Sequence, residues 1–140
     1  MANVIYNSFK KNIMNGSIDL DTDTIKVMLV TSSYTPNQDT HEFKSDVTNE
    51  VTGTGYTAGG ATLSNKSVTQ DNTDDEGVFD ADDVTWSNST ITARGAVLYK
   101  STGNDATSPL ICYFDFGENK SSSNGDFSIQ WNSEGIINLG

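Results

Sequence analysis

The residues best able to do chemistry in this chain are its carboxylates: 19 Asp and Glu stand against 8 Lys and Arg. They are densest over residues 74–83, where Asp74, Asp75, Asp80 and Asp82 are weak candidates for holding Ca²⁺. That cation takes about six to eight oxygen ligands, and the EF-hand order needs glycine sixth and glutamate twelfth in the loop. Counted from Asp71, glycine arrives one place late at Gly77, and the twelfth residue is Asp82. Counted from Asp19, the alternation through Asp21 and Asp23 runs into Thr24 and Val30 at those places. Both registers fail. The expectation is a solvated acidic loop, with no metal site assigned.

Nucleophiles and bases are equally scarce. With one histidine, His41, and one cysteine, Cys112, a zinc site would need both together with carboxylates. Cys112 lies between Ile111 and Tyr113, a setting for a small packed hydrophobe rather than an activated thiolate. His41, between Thr40 and Glu42, reads as an exposed loop or first-turn residue. The glycines at 53, 55, 59 and 60 have no following Gly-Lys-Ser/Thr, so they read as turn or bulge positions and not as a phosphate cradle. A glycosidase needs one carboxylate pair singled out, and abundance singles out none. No catalytic residue is assigned and no cofactor is implied.

The charge balance constrains partners. A formal net charge of −11 leaves no cationic footprint for nucleic acid or for an anionic membrane surface. No stretch approaches the roughly 20 apolar residues that span a bilayer. The first residues show no basic-then-apolar secretory signal. A single cysteine forms no internal disulfide, so packing alone must hold the fold. Hydrophobic residues make up only 34%, which predicts a thin core that association with other subunits would supplement.

The elements that must position these residues read as mostly strands in a single domain, 1–140. Residues 4–14 place Val4, Ile5, Phe9, Ile13 and Met14 at helical spacing before Asn15-Gly16, so residues 1–16 are expected to form a helix or arm. Strands are expected over 24–31, 61–69, 84–86, 90–99, 110–116, 127–131 and 136–139. Residues 32–39 form a loop, 41–47 a helical turn, and turns fall at 101–105, 118–125 and 132–135. About seven to eight antiparallel strands with this spacing predict a β-sandwich, jelly-roll-like, with a short N-terminal helix. Within 110–116, Phe114 and Phe116 point to one side and Tyr113 to the other. With both sides apolar, one is expected to cover the core and the other to meet a partner subunit.

The opening Met1-Ala2-Asn3-Val4-Ile5-Tyr6-Asn7-Ser8-Phe9-Lys10 leads into Ile18-Asp19-Leu20-Asp21-Thr22-Asp23-Thr24-Ile25-Lys26-Val27-Met28-Leu29. With Tyr34-Thr35-Pro36, Gly55-Tyr56 and Ala93-Arg94-Gly95-Ala96-Val97-Leu98-Tyr99, it resembles small virion proteins of tailed bacteriophages, most of all head decoration (cement) proteins. The resemblance implies a jelly-roll sandwich that assembles as a homodimer or homotrimer on the capsid exterior. It implies the major capsid protein as partner, and synthesis in the host cytoplasm. It brings no catalytic residues. The residues themselves offer Val4, Ile5, Phe9 and Tyr113 as contact candidates for capsid or subunit, although the first three serve equally well to cap an open end of the sandwich. The alternative function is a tail- or fibre-associated adhesion or carbohydrate-binding module, or a small tail or head-completion protein. An adhesion module would require Trp86 or Trp131 exposed; a hydrolase would require a cleft with two facing acids.

Overall fold

The computed structural model describes residues 2–140; Met1, at the head of the expected arm, lies outside them. In chain order the elements are β1 (Val4–Ile5), α1 (Asn7–Met14), β2 (Ile25–Val30), β3 (Ala61–Thr62), β4 (Ser67–Asp71), β5 (Glu76–Asp80), β6 (Val84–Ser89), β7 (Thr92–Lys100), β8 (Leu110–Ser121), β9 (Gly125–Ile129) and β10 (Ile137–Leu139). The protein is mainly β, with every strand pairing antiparallel and one short helix, as a sandwich-like fold requires. A five-stranded sheet runs β1-β8-β7-β2-β3, a three-stranded sheet β10-β5-β4, and β6 pairs with β9.

The period-two alternation of β7 explains why the large sheet is buried on both sides. Ala96 and Leu98 join Ile25, Val27, Leu29 and Phe114 in a core shared with Phe79, Trp86 and Phe127 of the smaller sheets. Val97 and Tyr99 turn the opposite way, onto Met28, Val30, Leu110 and Tyr113. The expected division of Phe114 and Phe116 from Tyr113 is what the pleat produces. The second face, however, is closed by this chain's own Tyr6, Tyr34 and Val47, not left bare for a subunit.

Several boundaries depart from the sequence reading. Val4 and Ile5 are not helical: they extend along β8, opposite Tyr113 and Cys112, because an open sheet edge offers backbone partners that a helix start does not. The helix begins only at Asn7, after an extended Tyr6. Residues 61–69 divide between two sheets, with a turn at Asn65 (φ 52°) between β3 and β4. The helical turn expected over 41–47 shortens to a 3₁₀ turn at Lys44–Asp46, whose Asp46 carboxylate accepts from the Glu42 and Phe43 backbone N–H groups. The turn expected over 118–125 is mostly strand, since β8 reaches Ser121.

The acidic stretch is also not a loop. Residues 72–75 turn between β4 and β5, where Asp71 Oδ1 accepts from the Thr73 and Asp74 backbone N–H groups at 2.9 and 3.2 Å. Glu76–Asp80 then forms β5, the central strand of its sheet, with Phe79 buried in the main core. Burial of Phe79 outweighs the poor strand propensity of its acidic neighbours, whose heads stay hydrated.

Candidate functional site

Where β1, the loop after β2 and the middle of β8 meet, the surface opens into a pocket of about 380 Å³. Val4, Tyr34, Pro36, Arg94, Tyr113 and Asp115 are among its walls. β1 is held there by the Asn3 backbone N–H to the Tyr113 carbonyl at 2.9 Å, and by the Asp115 N–H to Asn3 Oδ1 at 2.6 Å. Tyr113 lies over Gly95: a Cβ on that residue would sit 2.6 Å from the Tyr113 ring and from the Phe114 carbonyl oxygen. Only glycine lets the ring approach the sheet so closely.

The other wall is the loop from 31 to 41, fixed from beneath by a chain of hydroxyls. Tyr6 Oη lies 2.7 Å from Tyr34 Oη, which lies 2.9 Å from His41 Nδ1. Nδ1 also receives the Asn37 backbone N–H at 3.1 Å. A backbone N–H can only donate, so Nδ1 presents its lone pair, Tyr34 donates to it, and Tyr6 donates to Tyr34. Burial, then this hydrogen bond, raises the Tyr6 hydroxyl far above its ordinary pKa; burial pushes Tyr34 up to about 12 although the bond from Tyr6 opposes it. The Tyr34 and His41 rings stack at 5.6 Å, and Tyr34 meets Tyr113 edge-on at 5.9 Å. His41 is therefore a half-buried buttress and not the exposed loop residue expected.

One ion pair marks the rim. Arg94 Nε donates to Asp115 Oδ1 at 2.8 Å, and the Gly117 N–H reaches the same oxygen at 2.7 Å. These bonds, Arg94 first, hold the Asp115 carboxyl below its ordinary value. The pocket thus offers aromatic and aliphatic surface with a fixed guanidinium beside it. That arrangement suits binding, with the Tyr34 hydroxyl tied to Tyr6 and His41.

The four contact candidates separate. Val4 and Tyr113 line the pocket, Tyr113 with only 5% of its surface exposed. Ile5 packs against the main core and Phe9 is wholly inside it, so Phe9 has no surface to give a partner. The sequence alone does not single out Arg94, Asp115 or Tyr34 as site residues. Tyr34 and Arg94 did lie in the phrases that carry the resemblance, whereas nothing in the sequence distinguishes Asp115 from the other acids.

The Ca²⁺ candidates are also divided: Asp74 and Asp75 stay in the turn between β4 and β5, while Asp80 and Asp82 lie at and beyond the far end of β5. Among the described residues, the one group of three or more carboxylates close enough to share an ion is Asp71, Asp74 and Glu76, whose oxygens lie within 4.8 Å of one another. Only Asp74 of the four candidates belongs to it. Asp80 Oδ1 takes the Ala81 N–H, and Asp82 Oδ2 takes the Asn65 side-chain amide, because both follow the strand that carries them away from the turn. Cys112 is buried as expected, and burial pushes its thiol well up. Trp86 is in the core, and Trp131 leans on Phe114 with its indole N–H given to the Asp82 carbonyl at 2.9 Å. Among the described residues no helix is long and apolar enough to cross a membrane.

Comparison of the chain with protein families, curated proteins and solved structures finds no match.

Proposed function

We propose that this protein is a structural component of a tailed-bacteriophage virion, a capsid decoration protein that binds the outer head surface and braces joints between capsomers. The observation that supports this reading is a convergence. Three separated phrases that carry the resemblance supply Asn3 and Val4, then Tyr34, Thr35 and Pro36, then Arg94, and all of them line one pocket. In this reading the pocket face meets the major capsid protein, with Arg94 as the polar anchor at an apolar patch. The role needs a stable fold and a complementary surface, and it asks no reaction of the buried thiol or the bonded tyrosines.

The adhesion alternative has less support: Trp86 is buried, and Trp131 is half-buried, tilted against Phe114 with its indole N–H given to the Asp82 carbonyl. Mixing the purified protein with undecorated heads and pelleting them tests the preferred reading. The protein should sediment with the heads, and Arg94→Ala should stay in the supernatant. Arg94 pairs with Asp115 at a solvent-exposed rim, a contact worth about 0–1 kcal/mol to folding, so the variant remains folded. Wild-type protein left in the supernatant removes the decoration reading; equal pelleting of the variant removes this face from it.

A further inference from the structure

We propose that the inner face of the three-stranded sheet, where it overhangs the core, is a docking cleft for a basic, apolar segment of another protein. Registers place Val68 opposite Phe79 and Ile137, and Gln70 opposite Gly77 and Leu139, all on one face of the sheet. Phe79 and Ile137 are buried in the core, but the next row passes beyond it. There the central residue is Gly77, which has ordinary backbone geometry, and a Cβ on it would meet nothing nearer than the Thr69 carbonyl oxygen at 4.0 Å. Beside this row a hollow of about 530 Å³ lies between Val68 and Leu139 of the sheet and residues 13–21 of α1 and the segment that follows it.

Ile13, Ile18 and Leu20 form its far wall, with Val68 and Leu139 on the sheet side. Among the described residues three large hydrophobics are exposed, and two of them, Val68 and Leu139, line this cleft; the third, Met14, adjoins Ile13. Single exposed apolar residues are ordinary, but two facing a common hollow beside three more make a surface that water solvates poorly.

Charge selects the occupant. Asp19 and Asp21 line the cleft and no cation does. Lys100 pairs with Asp23 and donates to the Ser17 carbonyl, and Lys66 donates to the Asp23 carbonyl, so both are engaged within the chain. A second copy of a chain carrying −11 would bring acids against acids here, whereas lysines or arginines flanking an apolar side chain satisfy both rim and floor. The cleft shares no lining residue with the Tyr34 pocket, and the inference is independent of the virion reading.

The probe is a short synthetic peptide alternating leucine and lysine, titrated into the intact protein with NMR shifts and calorimetry as readouts. Shifts should cluster on residues 13–21 and on β4, β5 and β10. Leu139→Ser and Val68→Ser should each weaken binding about ten-fold while keeping the net charge. Leu139 and Val68 are exposed, so both variants keep the fold. Three results overturn the proposal: no binding; binding that Asp21→Asn or salt weakens but Leu139→Ser does not, which reduces it to the general acidic field; or a wild-type dimer in sedimentation that Leu139→Ser dissociates, which makes a second copy the occupant.

Discussion

Removing one hydroxyl, in Tyr34→Phe, tests how the pocket wall is held. Tyr6 is wholly buried, and its hydroxyl has a single side-chain partner, Tyr34 Oη at 2.7 Å. The substitution leaves that donor buried and unmatched, a loss of about 1–3 kcal/mol, and it also removes the bond to His41 Nδ1. A central expectation of about 2 kcal/mol lowers Tm by roughly 5–9 °C for a domain of this size. Tyr6→Phe is milder, about 1 kcal/mol, because Tyr34 can still donate to His41. The double variant has no orphaned hydroxyl, so its loss should fall short of the sum by about 1 kcal/mol. Urea unfolding of the four proteins measures the cycle. Strict additivity, or a Tyr34→Phe protein within about 0.5 kcal/mol of wild type, refutes the directional chain from Tyr6 to His41.

The other predictions address the backbone, the acids and the thiol. At Gly60 (φ 81°) a Cβ would sit 1.8 Å from the Val27 carbonyl oxygen, so Gly60→Ala should cost about 3 kcal/mol or more in a urea melt. At Gly103 (φ 86°) nothing lies within 4 Å, and Gly103→Ala should cost only about 1–2 kcal/mol; equal losses would refute close approach as the cause. Backbone N–H groups of Phe43 and Glu42 hold the Asp46 carboxyl below its ordinary 3.8. Its stabilisation is therefore complete above that value and is lost as pH falls through the folded-state pKa. The acid-side slope of the urea midpoint should flatten in Asp46→Asn, and an unchanged slope would discount this carboxylate. Cys112 should react with a thiol reagent only as fast as the protein unfolds, its rate rising with urea through the melt; a fast reaction in native buffer would contradict its burial.

How legible the molecule was in its sequence varied by element. β2, β7 and β8 are apolar or cleanly alternating over most of their lengths, and a strand buried on one or both faces must read that way wherever its partners come from. β5 was hidden, because two apolar residues among acids reveal a strand only once the core around Phe79 is known. Val4 and Ile5 met a helical spacing and yet became strand, since an unpaired edge of β8 more than a hundred residues away determines their backbone partners.

The same division applies to the sites. Composition by itself established a negatively charged, disulfide-free chain rich in β pattern, because charge and alternation are properties of neighbouring residues. It also marked Cys112 as packed and the glycines near 60 as conformational. Only the tertiary structure put Val4, Tyr34 and Arg94 around Tyr113, separated Asp80 and Asp82 from Asp74 and Asp75, and carried the row of Gly77 and Leu139 past the edge of the core. Those outcomes depend on strand register and sheet order, which are set by the collective burial of about thirty side chains rather than by any local run.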